Sequence, residues 1–543
     1  MPGSNRRFSL AAIALPLLFV AMPGLSRAAT IVVNTLDGIS EPVPGPCSLI
    51  DAVAAANAGG TVKNCVAGSG ANTITFSVTG TIPIFETLTI TSNLNIIGPT
   101  ASPGITLSGT PVLGNPTRPQ LINVPAGPNL VVYEVFLQYL TLANGSAVTG
   151  GAIYANEAGM FVFNCTFLDN QAVGAPFIEG NGGAILNFGG TLVVSNSTFS
   201  GNHAQSAGGA IYNYYGAVVY LTNNTFSGNM VPSQGNGGAV FNNPGGGITG
   251  QGYSLNLKGN ILAANSGGNC EGPSPVIFVN DIGYNISDDD SCDFSGTSMN
   301  NTNPMLAALN SNGGPTQTFA ELVGSPAIDS IPIAACTFQS MPPVDITTDQ
   351  RGYGRPDPSN VNFCDAGAYE YGAVAPRIIR GVVHGGLLIT SGLIYNLIGG
   401  TVMGDVLQLG GGLVVTDDST IKGSVLTAGR STFSIDDSAI GGDLLILGLP
   451  AGSPPDQICG TTVNGDVLVL GDKTDVTIGD PAMACPGNTI GRNLQVVDNA
   501  TVQIFDDMVG GNLQCQDNST ITGGGDAAKS LQGQCAGFSG LAP

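Results

Sequence analysis

Tryptophan is absent from this 543-residue chain, histidine occurs twice, and only 15 residues are lysine or arginine. Against 37 Asp and Glu this leaves a formal net charge of −22, which excludes binding to nucleic acid or anionic lipid by charge attraction. Two histidines, His203 and His384, argue against a metal site built from Cys and His, and no cysteine pair has the two-residue spacing of a zinc cluster. His203 has no nearby pairing of Ser with Asp that would suggest a catalytic triad. Charged residues make up only 10% of the chain. Beyond residue 28 no stretch approaches the roughly 20 apolar residues that a membrane span requires. What is abundant is glycine, 80 residues, together with Asn, Ser and Thr. Such a surface suits stacked coils better than a globular enzyme.

The amino terminus reads as a secretory signal over residues 1–28. Arg6 and Arg7 form a basic region, Leu10 to Met22 is almost wholly apolar, and Ser26-Arg27-Ala28 is a small-x-small cleavage site. Its removal takes away three arginines and no acid, so the mature charge is −25. The 11 cysteines then fall into five local pairs plus one: Cys47 with Cys65, Cys270 with Cys292, Cys336 with Cys364, Cys459 with Cys485, and Cys515 with Cys535. In an exported chain these read as disulfides. Cys165 is left over, inside a repeated strand phrase, as a buried free thiol.

That phrase organises the chain. Gly150-Gly151-Ala152-Ile153-Tyr154 returns as Gly182-Gly183-Ala184-Ile185-Leu186, Gly208-Gly209-Ala210-Ile211-Tyr212 and Gly237-Gly238-Ala239-Val240-Phe241. A second phrase ends in Asn170, Asn202, Asn229 and, in degenerate form, Asn265, at intervals of 32, 27 and 36 residues. Self-similarity at that period, with strands of four to six residues, marks a solenoid whose coils stack about 4.8 Å apart. Phe167, Phe199, Phe226 and Leu262 are expected to stack inside, and the asparagines at a corner. The fold class is all-β, a parallel β-helix. Ser48 and Asp51 predict a short helix, closed by Gly59-Gly60, that plugs the exposed first coil. Further on, Gly385, Gly404, Gly423, Gly442, Gly465, Arg492 and Gly511 recur mostly at 19 residues, which predicts a second, tighter β-solenoid with the long intervals as loops tied by Cys459 and Cys485. The expected divisions are residues 29–300 for the capped β-helix, 301–372 for the end of that rod, and 376–535 for the second solenoid.

Two stretches resemble known families. Cys47-Ser48-Leu49-Ile50-Asp51-Ala52 resembles the CSLREA motif at the start of exported bacterial right-handed β-helix proteins, with Ile50 in place of Arg and Asp51 in place of Glu. Asn303-Pro304-Met305-Leu306, Asn312-Gly313-Gly314-Pro315-Thr316, Gly324-Ser325-Pro326-Ala327-Ile328-Asp329, Asp349-Gln350-Arg351-Gly352 and Cys364-Asp365-Ala366-Gly367-Ala368-Tyr369-Glu370 resemble the choice-of-anchor Q domain. The resemblances imply a right-handed, pectin-lyase-like scaffold on a bacterial exported protein, at the cell surface or outside it. They imply no reaction.

Few residues suggest chemistry. A polysaccharide lyase needs a cation-stabilised carboxylate and a basic side chain, yet the only cations between residues 30 and 300 are Lys63, Arg118 and Lys258, at unmatched repeat positions. A glycoside hydrolase needs two carboxylates across a cleft. Glu134, Glu157, Asp169 and Glu179 are the only acids between residues 130 and 200. Arg351 and Arg355 beside Asp345, Asp349, Asp365 and Glu370 read as structural ion pairs rather than a catalytic set. Asp288-Asp289-Asp290 with Asp293 lacks the spacing of an EF-type calcium loop and reads as a turn held by Cys270–Cys292. Asp417-Asp418 and Asp436-Asp437 lie 19 residues apart, so stacked coils bring their carboxylates together, to be screened by calcium or splayed into water. No other cofactor is expected. The favoured function is an exported structural or adhesin-like rod binding an extracellular glycan or envelope component, through Tyr214, Tyr215 and Tyr220 and through Ser and Thr rungs at Ser195, Ser197, Ser200, Thr222, Thr225 and Ser227. The alternative is a polysaccharide lyase or glycoside hydrolase on the same scaffold.

Overall fold

The computed structural model describes residues 28–538, except 112–116, 176–178, 233–235, 244–253, 273–278, 340–344, 417, 430, 450–455, 474 and 480–484. Residues 1–27 of the expected signal segment and Asp417 therefore lie outside the described residues.

Residues 30–287 wind into a parallel β-helix of three faces. The first face carries nine strands, from Thr30–Val33 to Val279–Gly283, the second eight, from Gly80–Ile84 to Ile286–Ser287, and the third seven, from Leu88–Thr89 to Cys270–Glu271. Every pairing within these faces is parallel, so each strand bonds the equivalent strand one coil away. The repeated phrases set the register: Ile153, Ile185, Ile211 and Val240 are successive partners on the third face. Phe167, Phe199 and Phe226 are partners on the second, fully buried, with ring centroids 4.6 Å apart at both steps. Leu262 continues the ladder.

Asparagine does the work expected at the corner. Asn170 Nδ2 donates to Asn202 Oδ1 (2.9 Å), Asn202 to Asn229 (2.8 Å), and Asn229 to Asn265 (2.9 Å). Each amide also bonds backbone of an adjacent coil, so the corner leaves few buried polar groups unsatisfied. A parallel ladder joins Asn187, Asn213 and Asn242 inside the third face. The helix Leu49–Ala58 caps the first coil, begun by Ser48 and ended by Gly59 in left-handed backbone, with Leu49, Ala52, Val53, Ala55 and Ala56 buried. All five expected disulfides are formed, and Cys165 is free and buried.

The second solenoid spans Arg377 to Gly533. One of its faces has eight strands, from Arg377–Ile379 to Thr520–Gly524. The other two run from Val382–Val383 and from Leu387–Ile389 and meet in the long strand Met508–Gln516, which pairs with both. Its core is a separate column of Val, Leu and Ile.

Residues 303–372 depart from their expected place at the rod's end. They return along the flank of the β-helix as a strap over the second face. Gln350 is the central latch: its Oε1 accepts from Thr198 Oγ1 (2.6 Å) and its Nε2 donates to Thr166 Oγ1 (2.9 Å). Left-handed corner residues Asn164, Asn196 and Asn223 donate to the strap carbonyls of Asp349, Thr348 and Asp365 at 2.8, 2.9 and 3.0 Å.

Candidate binding surface

The strap decides which surfaces remain for a ligand. Ser195, Ser197, Thr222 and Thr225 are at most 2% exposed, and so are not the free rungs expected from the alternation of the strands. Ser197 faces inward at a ladder rung, its Oγ taking the Cys165 N–H (3.1 Å). Thr222 receives Gln339 Nε2 (3.1 Å), and Thr225 Oγ1 receives the Ala368 N–H (3.0 Å). The hydroxyls of Ser197, Thr222 and Thr225 are satisfied by the protein itself, while that of Ser195 is buried without a partner. Ser200 and Ser227 end their strands half-buried.

The basic residues are likewise engaged in structure. Lys258 is buried and donates to the Thr337 carbonyl (2.9 Å) and hydroxyl (2.6 Å); burial pushes its ammonium down to about 8, opposed by Asp345. Lys63 lies 3.9 Å from Asp51 in the cap, and Arg118 reaches Asn144. Within the strap Arg351 pairs with Asp349 (2.6 Å) between the rings of Tyr353 and Tyr369, and Arg355 lies 3.2 Å from Glu370. Arg355 also donates to the carbonyls of Asp365, Gly367 and Tyr369. These groups are buried and turned on the strap's own backbone. Beside them Glu321 is wholly buried with both oxygens unpartnered, and burial holds its carboxyl well above the usual range.

The acidic run is a tied turn, as expected. Asp288 accepts from Ala264 N and Asn269 Nδ2, and Asp289 from Ser287, Ser291 and Asn269. In the second solenoid Asp418 and Asp437 hold left-handed corners, and the Asp436 carboxylate accepts from Ser434 (2.6 Å) and Gln457 (3.0 Å). Among the described residues no three His, Cys, Asp or Glu side chains converge where a metal ion would sit.

An aromatic ledge remains, on the third face. Phe188 and Tyr214 are register partners, pointing outward two residues beyond the repeated glycine phrase. Their rings meet edge to face at 5.5 Å, and Tyr215 stacks on Phe188 at 5.1 Å and 16°. Beside them on the same outward side, two residues back along the strands, Tyr212 and Phe241 stack at 5.4 Å and are nearly buried, with Asn243 donating to the Tyr212 hydroxyl (2.8 Å). Burial raises the Tyr212 phenol to about 12. Tyr215 itself is 48% exposed.

Its backbone is left-handed, as at many corners of this protein, including Glu157 at the same corner two coils back. Tyr215 sits at φ 59, a conformation that costs a bulky L-residue about 1–2 kcal/mol. The preceding coil fills the same corner with Gly189, at φ 66 and without that cost.

Tyr220 is not part of this ledge. The corner at Gly216-Ala217 turns the chain, and Tyr220 faces outward from the first face, paired with Val193 and Asn256. The three tyrosines expected to act together therefore occupy two faces.

Comparison with known proteins adds one local match. Residues 196–214 match the Chlamydia polymorphic membrane protein repeat, spanning the strand Thr198–Ser200, the Asn202 corner and the strand Ile211–Tyr214. No curated protein matches the chain in sequence. Among solved structures, the PL6 family alginate lyase AlyGC is similar at 8% identity over 85% of each chain, with a TM-score of 0.15, which bears on neither the fold nor the activity of this protein. No helix among the described residues is long and apolar enough to cross a membrane.

Proposed function

We propose that the protein is an exported, surface-associated β-helix rod that binds an extended glycan on the ledge of Phe188, Tyr214 and Tyr215 without cleaving it. The exposed ring of Tyr215 stacked on Phe188 carries this reading. The outer face of the exposed Tyr215 ring, with Phe188 stacked behind it, suits the apolar face of a sugar ring. The signal segment at residues 1–28 and the repeat match at 196–214, to a family named for membrane proteins, support a surface location. The choice-of-anchor Q-like stretch fits the same setting, and its Asp349-Gln350-Arg351-Gly352 phrase serves to latch the strap.

Catalysis has less support. The lysines and arginines of the β-helix and strap bond the protein's own carboxylates, carbonyls and side chains. A glycan array combined with a reducing-end release assay on the purified chain tests the proposal. Retention of a glycan without new reducing ends supports it, and turnover of any polysaccharide would replace it with the lyase or hydrolase alternative.

A further inference from the structure

The second solenoid presents one face whose strands are apolar on both sides. Leu388, Leu407, Leu426, Leu445 and Leu468 are successive register partners. All point outward, because their neighbours Val406, Val425, Leu444 and Val467 point into the core. A second outward row runs through Leu409, Ala428, Leu447 and Leu470. Leu388, Leu407, Leu409 and Leu470 are 57%, 36%, 49% and 40% exposed. The neighbouring face behaves otherwise: Ser431–Asp436 alternates, with Thr432, Ser434 and Asp436 outward. Near-continuous apolar strands such as Leu444-Leu445-Ile446-Leu447 are normally buried on both faces, whereas here the described residues cover only one.

We infer that this leucine face is a self-association surface, covered by the same face of a second copy of the chain. Two observations favour that occupant. The rungs repeat at the spacing of one coil, about 4.8 Å, so the leucine rows of two copies interdigitate in register as paired sheets do at about 10 Å separation. None of the outward residues in the two rows is ionisable, and Asp405, Asp443 and Asp466 line one border. A two-fold axis parallel to the rod sets each acidic border opposite the partner's other edge, where Gly429, Gly448 and Gly471 follow the strands. The extent sets the strength of the pair. Five rungs of four residues cover about 24 by 13 Å, on the order of 400 Å² per copy with side-chain relief. That is below the ~1,200 Å² total of stable complexes. The pair is therefore weak and forms where copies are crowded, and the charge of −25 on each mature copy opposes it.

Sedimentation equilibrium of the full mature chain, from ~10 μM to ~1 mM at low and high salt, tests this. The weight-average mass is expected to climb towards twice the monomer value, and further at ~0.5 M salt, where repulsion between copies is screened. L426K/L445K should stay monomeric with an unchanged unfolding midpoint, while T432K/S434K on the neighbouring face should associate like the wild type. If L426K/L445K does not fold, L407Q/L409Q, at two of the most exposed rungs, takes its place. A wild type that stays monomeric throughout, association that weakens with salt, or association that survives the leucine substitutions overturns the inference. Capture of monomeric wild type by neutral phosphatidylcholine vesicles, lost in the leucine variant, also overturns it and assigns the face to lipid.

Discussion

Arg355 and Glu370 form an ion pair with neither side chain exposed, Nε to Oε2 at 3.2 Å. The Nε–H does not aim squarely at that oxygen, so the contact is one of charge rather than an aligned hydrogen bond. The remaining Glu370 valences are taken by the N–H groups of Asp357 and Asp365, both 3.0 Å. The pair thus ties three segments of the strap together. Removing one member of a buried pair strands the other and costs about 3–5 kcal/mol. Arg355→Met is expected to destabilise by that amount in chemical denaturation and to loosen the strap, seen as proteolysis within residues 303–372. Arg355→Lys should rescue little, since one ammonium cannot reach three carbonyls and a carboxylate.

The second solenoid is expected to lose stability as pH rises. Asp507 Oδ1 accepts from Asn488 N (2.6 Å) and Nδ2 (3.0 Å), and Asp526 Oδ1 from Asp507 N (3.0 Å), while the second oxygen of each is buried without a partner. Burial, with Asp526 and Asp506 nearby, holds Asp507 well above the carboxylate range. Burial first, then Asp506, raises Asp526 to about 7, and burial raises Asp472 to about 6. Raised folded-state values mean that this stability is complete below the unfolded value of about 4 and fades as pH climbs through 6 and 7. Asn499 and Asn518, at like corners, donate the second N–H of their Nδ2 to the Val469 and Val496 carbonyls. Asp507→Asn with Asp526→Asn should therefore raise the thermal midpoint at pH 7–8 and flatten its pH slope. A midpoint that rises between pH 4 and 8, or falls on substitution, contradicts this.

Cys165 should be inert while the protein is folded. Burial pushes its thiol up to about 12, so little thiolate is available to alkylating reagents. One equivalent of label is expected only after unfolding without reductant. The next coil carries Ser197 at the same rung, so Cys165→Ser should hold stability within about 1 kcal/mol.

Tyr215 should be replaceable without loss of fold. In Tyr215→Gly, relief of the left-handed backbone, about 1–2 kcal/mol, offsets the lost ring stack, about 0.5–1.5 kcal/mol. Unfolding free energy is expected to stay within about 1 kcal/mol. Tyr212→Ala, by contrast, empties a packed site and should cost about 3 kcal/mol or more.

The coil register and its inner ladders were legible because repetition aligns Phe167 with Phe199 and Asn170 with Asn202 without knowledge of the fold. The strap was not. Its contacts join residues about 150 apart in sequence, such as Thr198 and Gln350, and alternation along a strand says which side chains leave the core but not what covers them. For that reason the Ser and Thr rungs read as open surface. The Phe188 partner of Tyr214 was available in the sequence, two residues past the repeated phrase, where the two coils carry different aromatics. Tyr220 was misplaced because five residues from Tyr215 is close in sequence, yet a corner lies between them.

The binding account rests on the ledge, and one comparison tests it most directly. Tyr214→Ala/Tyr215→Ala, Tyr220→Ala and the wild type are compared for retention on a glycan array or the cell surface, with unfolding midpoints measured alongside. The double variant is expected to fold normally and lose retention, while Tyr220→Ala, altered on a different face, keeps it. Retention undiminished in a folded double variant would contradict the proposed site.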